Sequence, residues 1–113
     1  MFYKLRLDSK PISLIKHHVV SNRAKLLLIN AMFFLNKNNM LVGSPSDLQE
    51  KLNLGKNEFE LGIKELKIFD LVRKYSKQEY MFNPELLYCG DEKKYAILLH
   101  MWEKQTTRGV RKQ

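Results

Sequence analysis

Residues 44–80 read SPSDLQEKLNLGKNEFELGIKELKIFDLVRKYSKQEY, and this stretch decides the fold. Ser44 can cap a helix, Pro45 takes the first position, where its missing N–H costs nothing, and Asp47 falls at the third. Leu48 and Leu52 share one face of that helix. Residues 53–55 make a turn with Leu54 as its apolar plug. A second helix starts near Lys56 and turns Phe59, Ile63 and Leu66 inward, at spacings of four and three. After a break at Asp70, Leu71 and Val72 begin a strand. Lys74, Ser76, Lys77 and Gln78 form a polar tip, and Tyr80, Met81 and Phe82 return. Helix, turn, helix and hairpin in that order predict a mainly α fold with a small β-hairpin, a winged helix-turn-helix.

The flanking sequence supplies scaffold for this unit. On the N-terminal side Ser21 marks the start of a helix running to about Leu35. Its apolar set includes Leu27, Leu28, Ala31, Met32, Phe34 and Leu35. Residues 36–39, NKNN, are a polar stop, and Met40, Leu41 and Val42 form a short strand. Residues 2–7 alternate in part and suggest an extended arm or edge strand ended by Pro11, with a turn of helix over 13–20. On the C-terminal side Asn83 and Pro84 end the return strand, because proline cannot continue a ladder. A last helix runs from Asp91 to about Gln105 with Tyr95, Leu98, Leu99 and Trp102 on one face. The expected organisation is a basic arm or short helix over 1–20, a winged-helix domain over 21–105, and a basic flexible tail over 106–113.

A chain of 113 residues has room for a single modest core. The apolar run 26–35 is too short to cross a bilayer and reads as a buried helix. No secretory signal pattern follows the N-terminus. The lone Cys89 has no internal disulfide partner, in keeping with a reducing cytoplasm. His17 and His18 are adjacent and diverge on a helix, and His100 is remote, so no metal site is expected. Carboxylates occur in pairs at Glu58 with Glu60 and at Glu65 with Asp70, without any sign of an enclosing pocket. There is no glycine-rich phosphate loop. Neither an enzyme, nor a cofactor, nor a small-molecule substrate is implied.

Charge points to a partner. Twenty Lys and Arg against twelve Asp and Glu leave a formal charge of +8, which favours a polyanion. Lys4, Arg6, Lys10, Lys16, Arg23 and Lys25 load the N-terminal quarter, while Lys104, Arg108, Arg111 and Lys112 load the C-terminus. The helix from Lys56 then becomes the reading element for double-stranded DNA, entering a major groove with Lys56, Asn57, Glu60, Leu61, Lys64 and Lys67 outward. Asn57 suits adenine, the lysines suit guanine or phosphate, and Glu60 suits a cytosine amino group. Ser44 and Ser46 place the preceding helix's amides near a phosphate. Lys74, Lys77 and Gln78 lie where a wing touches the backbone. The opposing reading is a solvated mixed-charge helix, since Glu58, Glu60 and Glu65 repel phosphates and a hairpin tip needs charge for solubility.

The whole pattern resembles RepL, the plasmid replication proteins of Gram-positive bacteria, which are winged-helix proteins. The likeness rests on SPSDLQEKLNLGKNEFELGIKELKIFDLVRK and, more specifically, on EYMFNPELLYCGDEKK. There Tyr80 and Met81 lead into Asn83 and Pro84, then Leu87 and Tyr88, then Gly90 before the final helix. It covers roughly residues 23–103. The resemblance implies plasmid DNA replication or maintenance, by binding an origin and recruiting host machinery. Gly55 departs from it, standing where such helices usually begin with a capping Ser or Thr.

Two other functions fit the same fold. One is a transcriptional regulator. The other is an adaptor that recruits a replication enzyme through protein contacts, for which Leu61 on the outer face of the reading helix is the candidate residue. Tyr95, Leu99 and Trp102 suit either completion of the core or a homodimer seam.

Overall fold

The computed structural model describes the backbone of residues 4–5, 9–88 and 90–112, and the side chains of residues 9–88 and 90–104. Strand β1 (Lys4–Leu5) is followed by α1 (Lys10–Lys16) and α2 (Asn22–Met32). Then come β2 (Met40–Val42), α3 (Pro45–Leu52) and α4 (Lys56–Ile68). The hairpin β3 (Val72–Ser76) and β4 (Glu79–Phe82) precedes β5 (Leu87–Tyr88) and α5 (Glu92–Lys112).

Local chemistry sets most helix starts. The hydroxyls of Ser9, Ser21 and Ser44 accept from the N–H groups of Ile12, Ala24 and Asp47 at 3.4, 3.3 and 3.2 Å. Pro11 belongs to the first turn of α1, so it opens a helix and does not end a strand. α3 ends on Asn53 in the left-handed region (φ 55°). Asp70 takes the same conformation (φ 58°) and turns the chain from α4 into β3.

β4 is the central strand of the three-stranded antiparallel sheet β2-β4-β3. Tyr80, Met81 and Phe82 are all buried, because both faces of the strand are covered. Tyr80, Phe82 and Leu41 face the main core with Leu27, Leu28, Leu48, Phe59, Ile63 and Leu66 from α2, α3 and α4. Met81 and Met40 face the other way, into a second cluster with Tyr88, Leu98 and Trp102. α5 therefore roofs the back of the sheet. A separate two-stranded sheet pairs β1 with β5, Lys4 opposite Tyr88.

Four further expectations change. α2 stops at Met32, three residues early, and Phe34 is exposed, not core. The side-chain oxygen of Asn36 accepts from the N–H groups of Asn38 and Met40, and that turn needs the chain released from the helix. The NKNN segment is more than a polar stop. Asn39 is fully buried at φ 60° and donates to the carbonyls of Phe82 (3.3 Å) and Leu87 (2.8 Å), tying β2 to β4 and β5. α5 continues past Gln105 to Lys112, through Thr106, Thr107 and Gly109, with no proline to end it. Finally, Lys74 lies within β3, opposite Tyr80, and not at the hairpin tip.

The segment from Asn83 to Gly90 closes the sheet. Asn83 is buried, donates to the Asp70 carbonyl (3.0 Å) and accepts from the Glu85 N–H (2.8 Å), so β4 ends in a side-chain-built turn. Gly90 has φ +121°, and a Cβ there would lie 2.8 Å from Lys94 on the first turn of α5. Only glycine fits that approach.

Candidate nucleic-acid interface

The hairpin does not project freely. The N–H of Gly43 donates to the Gln78 carbonyl at 2.8 Å, which pins the hairpin tip beside the start of α3. An open groove of about 190 Å³ lies between them, walled by Pro45 of α3, by Glu60, Lys64 and Lys67 of α4, and by Tyr80. Phe59 and Ile63 form its floor and Phe59 meets Tyr80 edge to face, with ring centroids 6.3 Å apart. Lys74, across the ladder from Tyr80, holds its ammonium 6.0 Å from that ring.

This arrangement is electrostatically positive. Lys64, Lys67 and Lys74 make no ion pair among the described residues. Lys67 is exposed along much of its side chain, yet partial burial of its ammonium, and then the charge of Lys74, lower its pKa from the usual lysine value. Burial raises the Tyr80 pKa, so that phenol stays neutral.

Two of the three acids on α4 are engaged elsewhere. The Glu58 carboxylate folds back to accept from the Gly55 N–H at 3.1 Å, which supplies the helix start that Gly55 cannot cap with a side chain. Glu65 accepts from both the N–H and the hydroxyl of Ser21, each at 2.6 Å, and so locks the start of α2 onto α4. Glu60 alone of the three lines the groove.

Of the DNA-reading residues expected from sequence, the structure gathers Ser44, Glu60, Lys64, Lys67, Lys74 and Gln78 on this side of the molecule. Lys56 and Asn57 are exposed on the first turn of α4, outside the groove walls, and Asn57 shares its outer face with Leu61 and Lys64. Ser46 is exposed, its hydroxyl 3.3 Å from that of Ser44. Lys77 is exposed in the turn between β3 and β4. The side chains of Arg108, Arg111 and Lys112 fall outside the described residues. Pro45 and Tyr80 are groove residues that sequence reasoning missed, because only the pairing of β4 beside α4 brings them there.

The candidate protein-contact residues divide. Leu61 is 46% exposed, and Ile68, two helical turns on, is 69% exposed. Trp102 is not available as a seam: it is buried in the second cluster, with the Arg73 guanidinium 3.9 Å from its ring. Tyr95 packs against Tyr88 with ring centroids 4.9 Å apart and planes inclined at 45°, and Leu99 is half-buried. The apolar face of α5 is spent on covering the sheet. Among the described residues no three of His, Cys, Asp and Glu cluster to hold a metal, and no helix is long and apolar enough to cross a membrane.

Comparison with curated proteins gives no match, and neither does comparison with solved structures. A family model does match, and it spans the core just described. The segment that resembles RepL in Asn83, Pro84 and Gly90 closes the sheet and launches α5, and the model for the Firmicute plasmid replication protein (RepL) matches residues 13–113, so the chain belongs to that family.

Proposed function

We propose that this protein acts in plasmid replication by binding duplex DNA, without catalysing a reaction itself. α4 lies in the major groove and the β3-β4 hairpin lies on the adjacent backbone. The observation that carries this is the convergence of Lys64, Lys67 and Lys74 beside the start of α3, with Glu58 and Glu65 folded away. Three ammonium groups without an ion-pair partner among the described residues, gathered around one groove, suit a polyanion. Asn57, Lys64 and Leu61 on the outer face of α4 offer an amide, a cation and a methyl contact for base edges. Glu60 is the acceptor for a cytosine amino group.

Fluorescence anisotropy with duplex and single-stranded DNA at two salt concentrations tests the reading. The wild-type chain binds duplex in a salt-sensitive way. The Lys64→Glu/Lys74→Glu variant, altered at two exposed positions, keeps its circular dichroism spectrum and loses at least tenfold in affinity. Binding that is unchanged in the variant, or absent in the wild type at moderate salt, would remove α4 and the hairpin from this role.

A further inference from the structure

α2 is apolar on both sides. Ala24, Leu27, Leu28 and Ala31 point into the core, and on the opposite side Leu26, Ile29 and Phe33 are 50, 53 and 80% exposed. A surface helix of a small domain is polar on its outer face, and one that is apolar all round is ordinarily covered on both. Phe34, 44% exposed, extends the surface beyond the end of the helix. Together these four side chains present on the order of 400 Å² of apolar area, the size at which a patch on a monomer is commonly functional.

The patch has shape as well as area. Leu26, Phe33 and Phe34 form one wall of an open channel of about 480 Å³, and Leu54 with the end of α3 forms the other. Its charge is one-sided. Arg23 stands one turn before Leu26 on the same side of α2, and α2 carries no acid. Lys51 stands at the other end, its ammonium 5.9 Å from the Phe34 ring. Glu58 also lines the channel, with its carboxylate already accepting the Gly55 N–H.

We propose that this channel docks an amphipathic helix of a partner protein, apolar on the buried side and acidic along its edges. A second copy of this chain would bring like-charged rims together within a molecule of net charge +8. A lipid surface is flat and would leave the channel unfilled. The channel lies on the α2 side of α4 and the groove on the hairpin side, and the two share no lining residue. The inference does not depend on the DNA reading.

A fluorescein-labelled amphipathic peptide with a leucine face and glutamate flanks is the probe. It should bind saturably, while a matched peptide with lysine flanks should not. Phe33→Glu and Lys51→Glu should each weaken binding tenfold or more. Phe33→Glu alters an exposed side chain and should leave the circular dichroism spectrum and duplex affinity intact. Amide shifts in NMR should map to α2 and the α3-α4 turn. No binding of the acidic peptide, or binding indifferent to Phe33→Glu, overturns the proposal. Two other results also overturn it: concentration-dependent dimerisation abolished by Phe33→Glu assigns the face to a second copy, and binding to phosphatidylglycerol vesicles abolished by the same change assigns it to lipid.

Discussion

At Lys67, folding and the proposed binding of DNA pull in opposite directions. Partial burial and the neighbouring Lys74 disfavour its ammonium form in the free protein, whereas a phosphate in the groove would favour it. The sign follows from linkage. With the folded pKa below the unfolded one, the unfolded chain holds more protons in the alkaline window beneath the usual lysine value of 10.5, so Lys67 makes stability rise with pH there. DNA binding should take up a proton in the same window and weaken as pH rises through it. Replacing Lys67 with Gln should therefore leave the Tm unchanged or raised, weaken duplex binding, and flatten the alkaline fall in affinity. Calorimetry and anisotropy across that pH range check all three. A lowered Tm in the variant would show that the lysine stabilises the fold. The candidate cations were legible as residues, since Lys64, Lys67 and Lys74 stand out in the sequence. Their mutual placement was not, because it depends on the pairing of Lys74 with Tyr80 and on the hairpin tip held by Gly43.

The starts of α2 and α3 were readable because a serine hydroxyl and a backbone N–H three residues on settle them locally, whereas α1, expected over 13–20, starts at Lys10 behind the unread cap Ser9. Helix ends were less so. α2 stops where the Asn36 turn requires it, and the buried side of α5 is fixed by Met40, Met81 and Tyr88 from distant parts of the chain. Within α4 a glycine stands at a helical, buried position against α2, which the inward spacing of Phe59, Ile63 and Leu66 did not reveal. A Cβ on Gly62 would meet Leu27 at 3.6 Å, an ordinary contact, so close approach does not demand glycine here. Gly62→Ala should stabilise the fold by roughly 0.5–1 kcal/mol through helix propensity, measured by urea denaturation. Destabilisation by a similar amount would mean that α2 and α4 are packed too tightly to admit a methyl group.

At the scale of the whole molecule, a +8 chain invites the assumption that each of its cations serves DNA. Arg73 does not fit that assumption. Its guanidinium pairs with both Asp70 oxygens at 2.7 and 2.6 Å, donates to the Trp102 carbonyl at 2.6 Å and lies on the indole. One side chain thus rivets the first residues of the hairpin to α5, using fork geometry and a flat cation that lysine lacks. A survey that replaced cations one at a time would find Arg73→Lys defective in DNA binding and mistake it for a contact residue. The slope of log affinity against log salt tells the two kinds apart. Each lost phosphate contact should lower its magnitude by about one, as for Lys64 or Lys74. Arg73→Lys should weaken binding at every salt concentration with the slope intact, because the charge persists and only the aim of the hairpin is lost. Some of this protein's positive charge is joinery, and the surface proposed for DNA is smaller than the cation count implies.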